Sequence, residues 1–112
     1  MTRRLLAALW LASLLACARA RPDLERFVTQ YVSSVHEGTE FYQRATPPED
    51  REVVELSRSR MTGDFKITGM DDGLGNVYEY AVTFSNGEVA SVTVFDRKDG
   101  IQARLHIVRP PQ

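Results

Sequence analysis

The sequence predicts an α+β fold in which one or two N-terminal helices pack on a curved four-stranded antiparallel sheet. Apolar residues recur with a helical period between residues 24 and 35, and with a period of two from residue 65 onward. The dipeptide Asn86–Gly87 separates two of the alternating segments, which is typical of a β-hairpin. A length of 112 residues with 43% hydrophobic residues fits a single globular domain.

Two helices are predicted before the alternating region. The first has Asp23 as its N-cap and ends near Gly38, because glycine accepts the left-handed conformation that follows a helix. Its apolar stripe consists of Leu24, Phe27, Val28, Tyr31, Val32 and Val35. The second helix is predicted to begin at Thr46, with Pro47 in the first helical position and Glu49 completing a capping box.

Four strands are predicted after residue 64, since apolar and polar residues alternate around Phe65, from Tyr78 to Phe84, from Val89 to Phe95 and from Ile101 to Ile107. Asn86–Gly87 is expected to form a tight turn in which both residues have positive φ. Apolar residues on both faces of the third strand are explained by a strongly curved sheet or by a second protomer, so a homodimer is one expected partner arrangement.

The first twenty residues predict a secretory signal peptide. Arg3 and Arg4 precede an uncharged apolar run from Leu5 to Ala16, and small residues follow. That order is typical of an export signal that is removed from the mature chain. Residues 1–20 are therefore excluded from the fold, and residues 21–112 are expected to form a single α+β domain. The expected location is outside the cytoplasm, which in a bacterium means the periplasm or the outer membrane.

Two alternatives for signal cleavage remain open. The segment Leu14–Cys17 resembles the bacterial lipobox, in which the chain is cut before a cysteine that then carries lipid. Cys17 would then be a lipidation site and the only attachment to a membrane. Small residues at 16, 18 and 20 also fit ordinary cleavage after Ala18 or Ala20, which would discard Cys17. Because Cys17 is the single cysteine, no intramolecular disulfide can form in either case.

The C-terminal third carries a resemblance to a known family. Phe84-Ser85-Asn86-Gly87 followed by Val94-Phe95-Asp96 resembles the DUF3887-type domains of the NTF2-like or cystatin-like superfamily. The resemblance implies helices on a curved sheet that can enclose a conical pocket. It implies no catalytic residues, because the family has no agreed motif for any.

Few residues indicate chemistry. The aromatic residues that could line a pocket are Tyr31, Tyr78, Tyr80 and Phe84, although burial in the core is the simplest explanation for them. His36 and His106 lie far apart without a second cysteine, so no metal site is predicted. No cofactor motif and no catalytic group is recognisable. Removal of Arg3 and Arg4 leaves 12 basic against 15 acidic residues, a formal charge of −3, which disfavours a nucleic-acid partner.

These observations predict an exported envelope protein with a non-enzymatic binding or accessory domain. Its partner would be another envelope protein or a small apolar ligand. One alternative is a small NTF2-like enzyme of the isomerase or hydratase type, which needs an ionisable side chain inside the pocket. The other is a cystatin-shaped inhibitor or immunity protein, whose contact loop would be Gly69–Asn76 with Met70 and Leu74 as apolar tips.

Overall fold

The computed structural model describes residues 21–108. The helices are α1 (Pro22–Glu37), α2 (Glu40–Ala45) and α3 (Arg51–Ser57), with 3-10 turns at Pro48–Asp50 and Arg58–Arg60. The strands are β1 (Phe65–Asp72), β2 (Val77–Phe84), β3 (Val89–Arg97) and β4 (Gly100–Val108). The predicted α+β class is confirmed, since the helices pack on one four-stranded antiparallel sheet.

Helix α1 forms because its apolar side chains share one face. Leu24, Val28 and Val32 are among the side chains of this face that are fully buried. The helix begins at Pro22, whose fixed φ suits the first helical position, and it ends at Gly38 with φ 74°. The prediction of Asp23 as N-cap was wrong, because the N-cap is Arg21, two residues earlier, and no side chain caps the helix.

The second predicted helix is present, but its predicted start was wrong. Thr46 caps no helix: its hydroxyl is buried and lies 2.7 Å from the Tyr31 hydroxyl, so it joins the connection after α2 to α1. A 3-10 turn follows, and α3 begins only at Arg51. The Thr46 hydroxyl, which the local sequence would place at a helix cap, therefore pairs with the buried Tyr31 hydroxyl of another helix instead.

The sheet is a meander with strand order β1-β2-β3-β4. Its inner face packs against α1 and is lined in the two central strands by alternating buried residues. These are Tyr80, Val82 and Phe84 of β2 and Ala90, Val92 and Val94 of β3. The register of β1 shifts between Ile67 and Gly69, and such a bulge bends a strand and increases its twist.

Two loop predictions need correction. Gly69–Asn76 is not a loop throughout, because β1 continues to Asp72 and Met70 pairs with Tyr80. Met70 is thus half-buried against the core and is not an apolar tip. In the β2–β3 turn Gly87 has φ 92°, whereas Asn86 does not have positive φ. The Asn86 side chain instead donates to the Arg60 carbonyl and the Thr62 hydroxyl, which ties the turn to the preceding segment.

The two core tyrosines differ in their hydrogen bonding, which predicts that replacing each by phenylalanine changes stability differently. The Tyr31 hydroxyl pairs with that of Thr46, whereas the buried Tyr80 hydroxyl has no partner among the described residues. Tyr31→Phe leaves the buried Thr46 hydroxyl without its hydrogen-bond partner and should lower the free energy of unfolding by about 1 kcal/mol. Tyr80→Phe removes an unpaired polar atom and should leave stability equal or higher. Urea unfolding of both variants measures the difference, and equal losses would contradict it.

Stability should also fall at alkaline pH. Burial raises the pKa of Tyr31 to about 12, from 10.0 for an exposed tyrosine, and burial raises the pKa of Tyr80 too. Above pH 10 the unfolded chain loses these protons while the folded chain keeps them, so the unfolded state is favoured. The free energy of unfolding should therefore decline between about pH 10 and pH 12. Tyr31→Phe should make this decline shallower in urea unfolding across that range, and an unchanged slope would contradict the assignment.

Candidate functional site

The four aromatic residues predicted to line a pocket lie in different surroundings in the structure. Tyr31, on the inner face of α1, and Tyr80, on β2, are both buried in the core between α1 and the sheet. Phe84 packs on Phe65 with ring centroids 5.5 Å apart, and the pair borders a shallow cavity of about 230 Å³. Tyr78 is half-buried, and its hydroxyl accepts a hydrogen bond from Arg21. Each of these residues therefore has a structural contact that accounts for its aromatic side chain.

Cys17, the predicted lipidation site, lies outside the described residues. The described chain begins four residues later in a cluster that we call the N-terminal clasp: Arg21, Asp23, Tyr78 and Asp96. The Arg21 guanidinium donates to both carboxylates at 2.9–3.1 Å and to the Tyr78 hydroxyl at 2.9 Å. It also lies 5.3 Å from the Tyr78 ring centroid. The clasp thus attaches the start of α1 to the ends of β2 and β3.

The clasp is an electrostatic unit. Hydrogen bonding to Arg21 lowers the pKa of the Asp23 carboxyl, and the same two carboxylates raise the pKa of the guanidinium. The side chain of Arg21 remains one-third exposed, so water screens these attractions. Their main effect is to define where the chain enters the domain.

A second feature is a cleft beside the outer strand β4, which we call the edge cleft. Its volume is about 320 Å³, and its lining residues are Asp50, Val53, Thr93, Phe95, Arg104, Leu105 and His106. Thr93 and Arg104 are cross-strand neighbours on the sheet face that points away from α1. Asp50 and Val53 come from the 3-10 turn and from α3, which lies along β4. The cleft therefore forms where α3 meets the outer face of the sheet.

One ion pair forms a side of the edge cleft. The Asp50 carboxylate accepts a hydrogen bond from a terminal nitrogen of Arg104 at 3.2 Å, and its other oxygen lies 3.0 Å from the Arg104 Nε. This two-point geometry orients the guanidinium. The side chain of Asp50 is 17% exposed and that of Arg104 is 57% exposed, so Arg104 still presents donors to solvent.

The remaining surfaces of the cleft combine apolar and polar character. Val53 is 53% exposed although it is aliphatic, and Phe95 contributes an aromatic side chain. The Thr93 hydroxyl and the His106 imidazole add hydrogen-bonding groups beside them. A few polar groups among apolar side chains are what small-molecule sites usually contain. The arrangement suits a small ligand with an apolar body and one polar group.

Sequence reasoning did not find this cleft. His106 was noted, but Asp50 and Arg104 are separated by 54 residues and belong to no motif. Their meeting depends on how α3 packs along β4. In the sequence, the only local hint was Val53 following the charged segment Glu49–Glu52.

Among residues 21–108, no three His, Cys, Asp or Glu side chains come together as metal ligands would. Within the same range, no helix has the length and apolar character needed to cross a bilayer.

Comparisons with known proteins identify no relative of this chain. No family model, no curated protein and no solved structure matches it. Its function must therefore be inferred from its own sequence, contacts and charges.

The edge cleft predicts a specific pattern of ligand binding. Titration with small fragments that carry an apolar body and one polar group should shift the amide resonances of Thr93, Arg104 and His106. Val53→Glu should abolish these shifts, because it replaces an apolar surface of the cleft by a charge.

Leu56→Glu is the matched control. Leu56 lies one turn further along α3, is 70% exposed and does not line the cleft, so this variant should keep the shifts. Loss of binding in both variants, or in neither, would contradict the site.

Proposed function

We propose that this chain is the precursor of an exported envelope protein whose folded part is a non-enzymatic binding domain, tethered to a membrane by lipid on Cys17. The observation that carries the proposal is the order of segments at the N-terminus. Two arginines, an uncharged apolar run and Cys17 follow one another, and the α+β domain described by the structure starts just after them, with its first helix at Pro22. This order is typical of an exported, anchored domain.

Residues Leu24 to Leu105 supply the hydrophobic core that packs the described helices on the sheet. The clasp around Arg21 is retained after cleavage before Cys17, after Ala18 or after Ala20.

The edge cleft supports binding as the activity. It holds an aliphatic, an aromatic and several polar side chains at one place on the surface. Tyr31 and Tyr80, whose pKa values are raised by burial, lie in the core and not in this cleft. A small apolar ligand is the partner that the cleft suits best.

We also propose membership of the DUF3887-type domains. The proposal rests on the sequence resemblance of Phe84–Gly87, which forms the β2–β3 turn, and of Val94–Asp96, near the end of β3. The helices cover one face of the sheet, as in that family's expected architecture. This relationship adds no catalytic role to any residue.

Lipid attachment predicts a clear labelling result. When the full chain is expressed in a Gram-negative host with a palmitate analogue, the wild type should be labelled and should fractionate with membranes. Cys17→Ala removes the acceptor thiol, so label should be lost and the protein should become soluble or stay uncleaved.

Ala20→Ser is the matched control, since it alters one ordinary cleavage site and leaves the Leu14–Cys17 segment intact. It should be labelled like the wild type. A wild-type chain that is exported without label, with Arg19 or Arg21 at its N-terminus, would show ordinary cleavage and refute the anchor.

A further inference from the structure

The loop between β1 and β2 presents an exposed leucine. We call Gly73–Asn76 the tip loop, and its Leu74 is 93% exposed, the highest value for a large hydrophobic side chain in the described chain. Two backbone hydrogen bonds hold the loop: Gly73 N–H donates to the Val77 carbonyl at 2.7 Å, and Asp96 N–H donates to the Asn76 carbonyl at 3.0 Å. Leu74 is therefore presented to solvent on a loop that is attached to the sheet.

The tip loop lies at the end of the domain where the chain enters. Asp72 pairs with Tyr78 on either side of the loop, and the Tyr78 hydroxyl is bonded to Arg21. Arg21 also binds Asp96, at the end of β3. The N-terminal clasp thus places the exit towards residues 1–20 beside the two hairpin tips and far from the Asn86–Gly87 turn.

The tether from Cys17 is short. Three residues separate Cys17 from Arg21, so their Cα atoms can be at most about 14 Å apart. Strand β2 has eight residues, which separates the two ends of the sheet by about 26 Å. A lipid on Cys17 can therefore hold only the clasp end of the domain close to a bilayer.

We infer that the clasp end of the domain rests on the bilayer with the Leu74 side chain in the headgroup region. The inference rests on the proposed lipid anchor at Cys17. Charges at this end include Arg97 and Lys98 but also Asp72 and Asp99, so attraction to anionic lipid is not what drives the contact. Moving the apolar Leu74 side chain out of water into the headgroup region is favourable, and the lipid anchor keeps this end of the domain close to the bilayer.

The test uses single cysteines in the full chain. The thiol of Cys17 is consumed by lipid in the anchored protein, so Leu74→Cys would carry the one free thiol for an environment-sensitive fluorophore. Ser85→Cys is the matched control, exposed in the turn at the opposite end of the sheet. Both labelled proteins are purified from membranes and reconstituted into vesicles of phosphatidylethanolamine and phosphatidylglycerol.

In vesicles the label at position 74 should emit at shorter wavelength, and its quenching by aqueous iodide should be several-fold weaker than that at position 85. Without vesicles, in the unlipidated Cys17→Ala background, the two labels should be quenched equally. Equal quenching in vesicles would overturn the inference. Protection of position 74 without vesicles would overturn it too, because it would assign Leu74 to a protein contact or to a second copy of the chain.

Failure of the anchor is recognised separately. The mass of the purified protein shows whether Cys17 carries acyl chains. A lipidated protein with an exposed label at position 74 would refute only the orientation. A protein without lipid would refute the proposed anchor, and the orientation would fall with it.

Discussion

The fold depends on the burial of α1 against the inner face of the sheet. A β-hairpin alone is marginal in water, and the strands become stable when their apolar face is covered. Here Val28, Val32 and Val35 of α1 cover the valines of β2 and β3, and each fully buried side chain of this size contributes about 1.5–3 kcal/mol. Because α1 is held in this position, Arg21, which directly precedes it, is also held in the clasp.

The sequence predicted those parts of the fold that depend on periodicity. The stripe from Leu24 to Val35 and the alternation after Phe65 each belong to a contiguous segment, and a buried face imposes its period on such a segment. Local polar signals were less informative. Asp23 and Thr46 both have the chemistry of an N-cap, but Arg21 binds the first and Tyr31 the second. Competition from other partners of the same side chain cannot be read from a cap motif.

The candidate sites needed the tertiary structure for the same reason. The edge cleft requires Asp50 to meet Arg104, and the clasp requires Arg21 to meet Asp96, 75 residues later. A similar long-range contact joins the helices, since Arg58 donates to the Val35 carbonyl at 2.6 Å and to the Tyr42 hydroxyl at 3.1 Å. The sequence showed Arg58 only as part of a polar segment. Its role became visible once α1 and α2 were placed beside it.

The sequential order of the strands has a consequence for how the chain folds as it is made. Adjacent strands in the sheet are adjacent in sequence, and such local contacts favour rapid folding. Helix α1 leaves the ribosome before any strand of the sheet, yet the Tyr31 hydroxyl reaches the Ala103 carbonyl of β4, 72 residues later. The contacts of α1 are therefore complete only when nearly the whole chain has emerged. Until then part of its apolar stripe is exposed, and the core of the domain stays open.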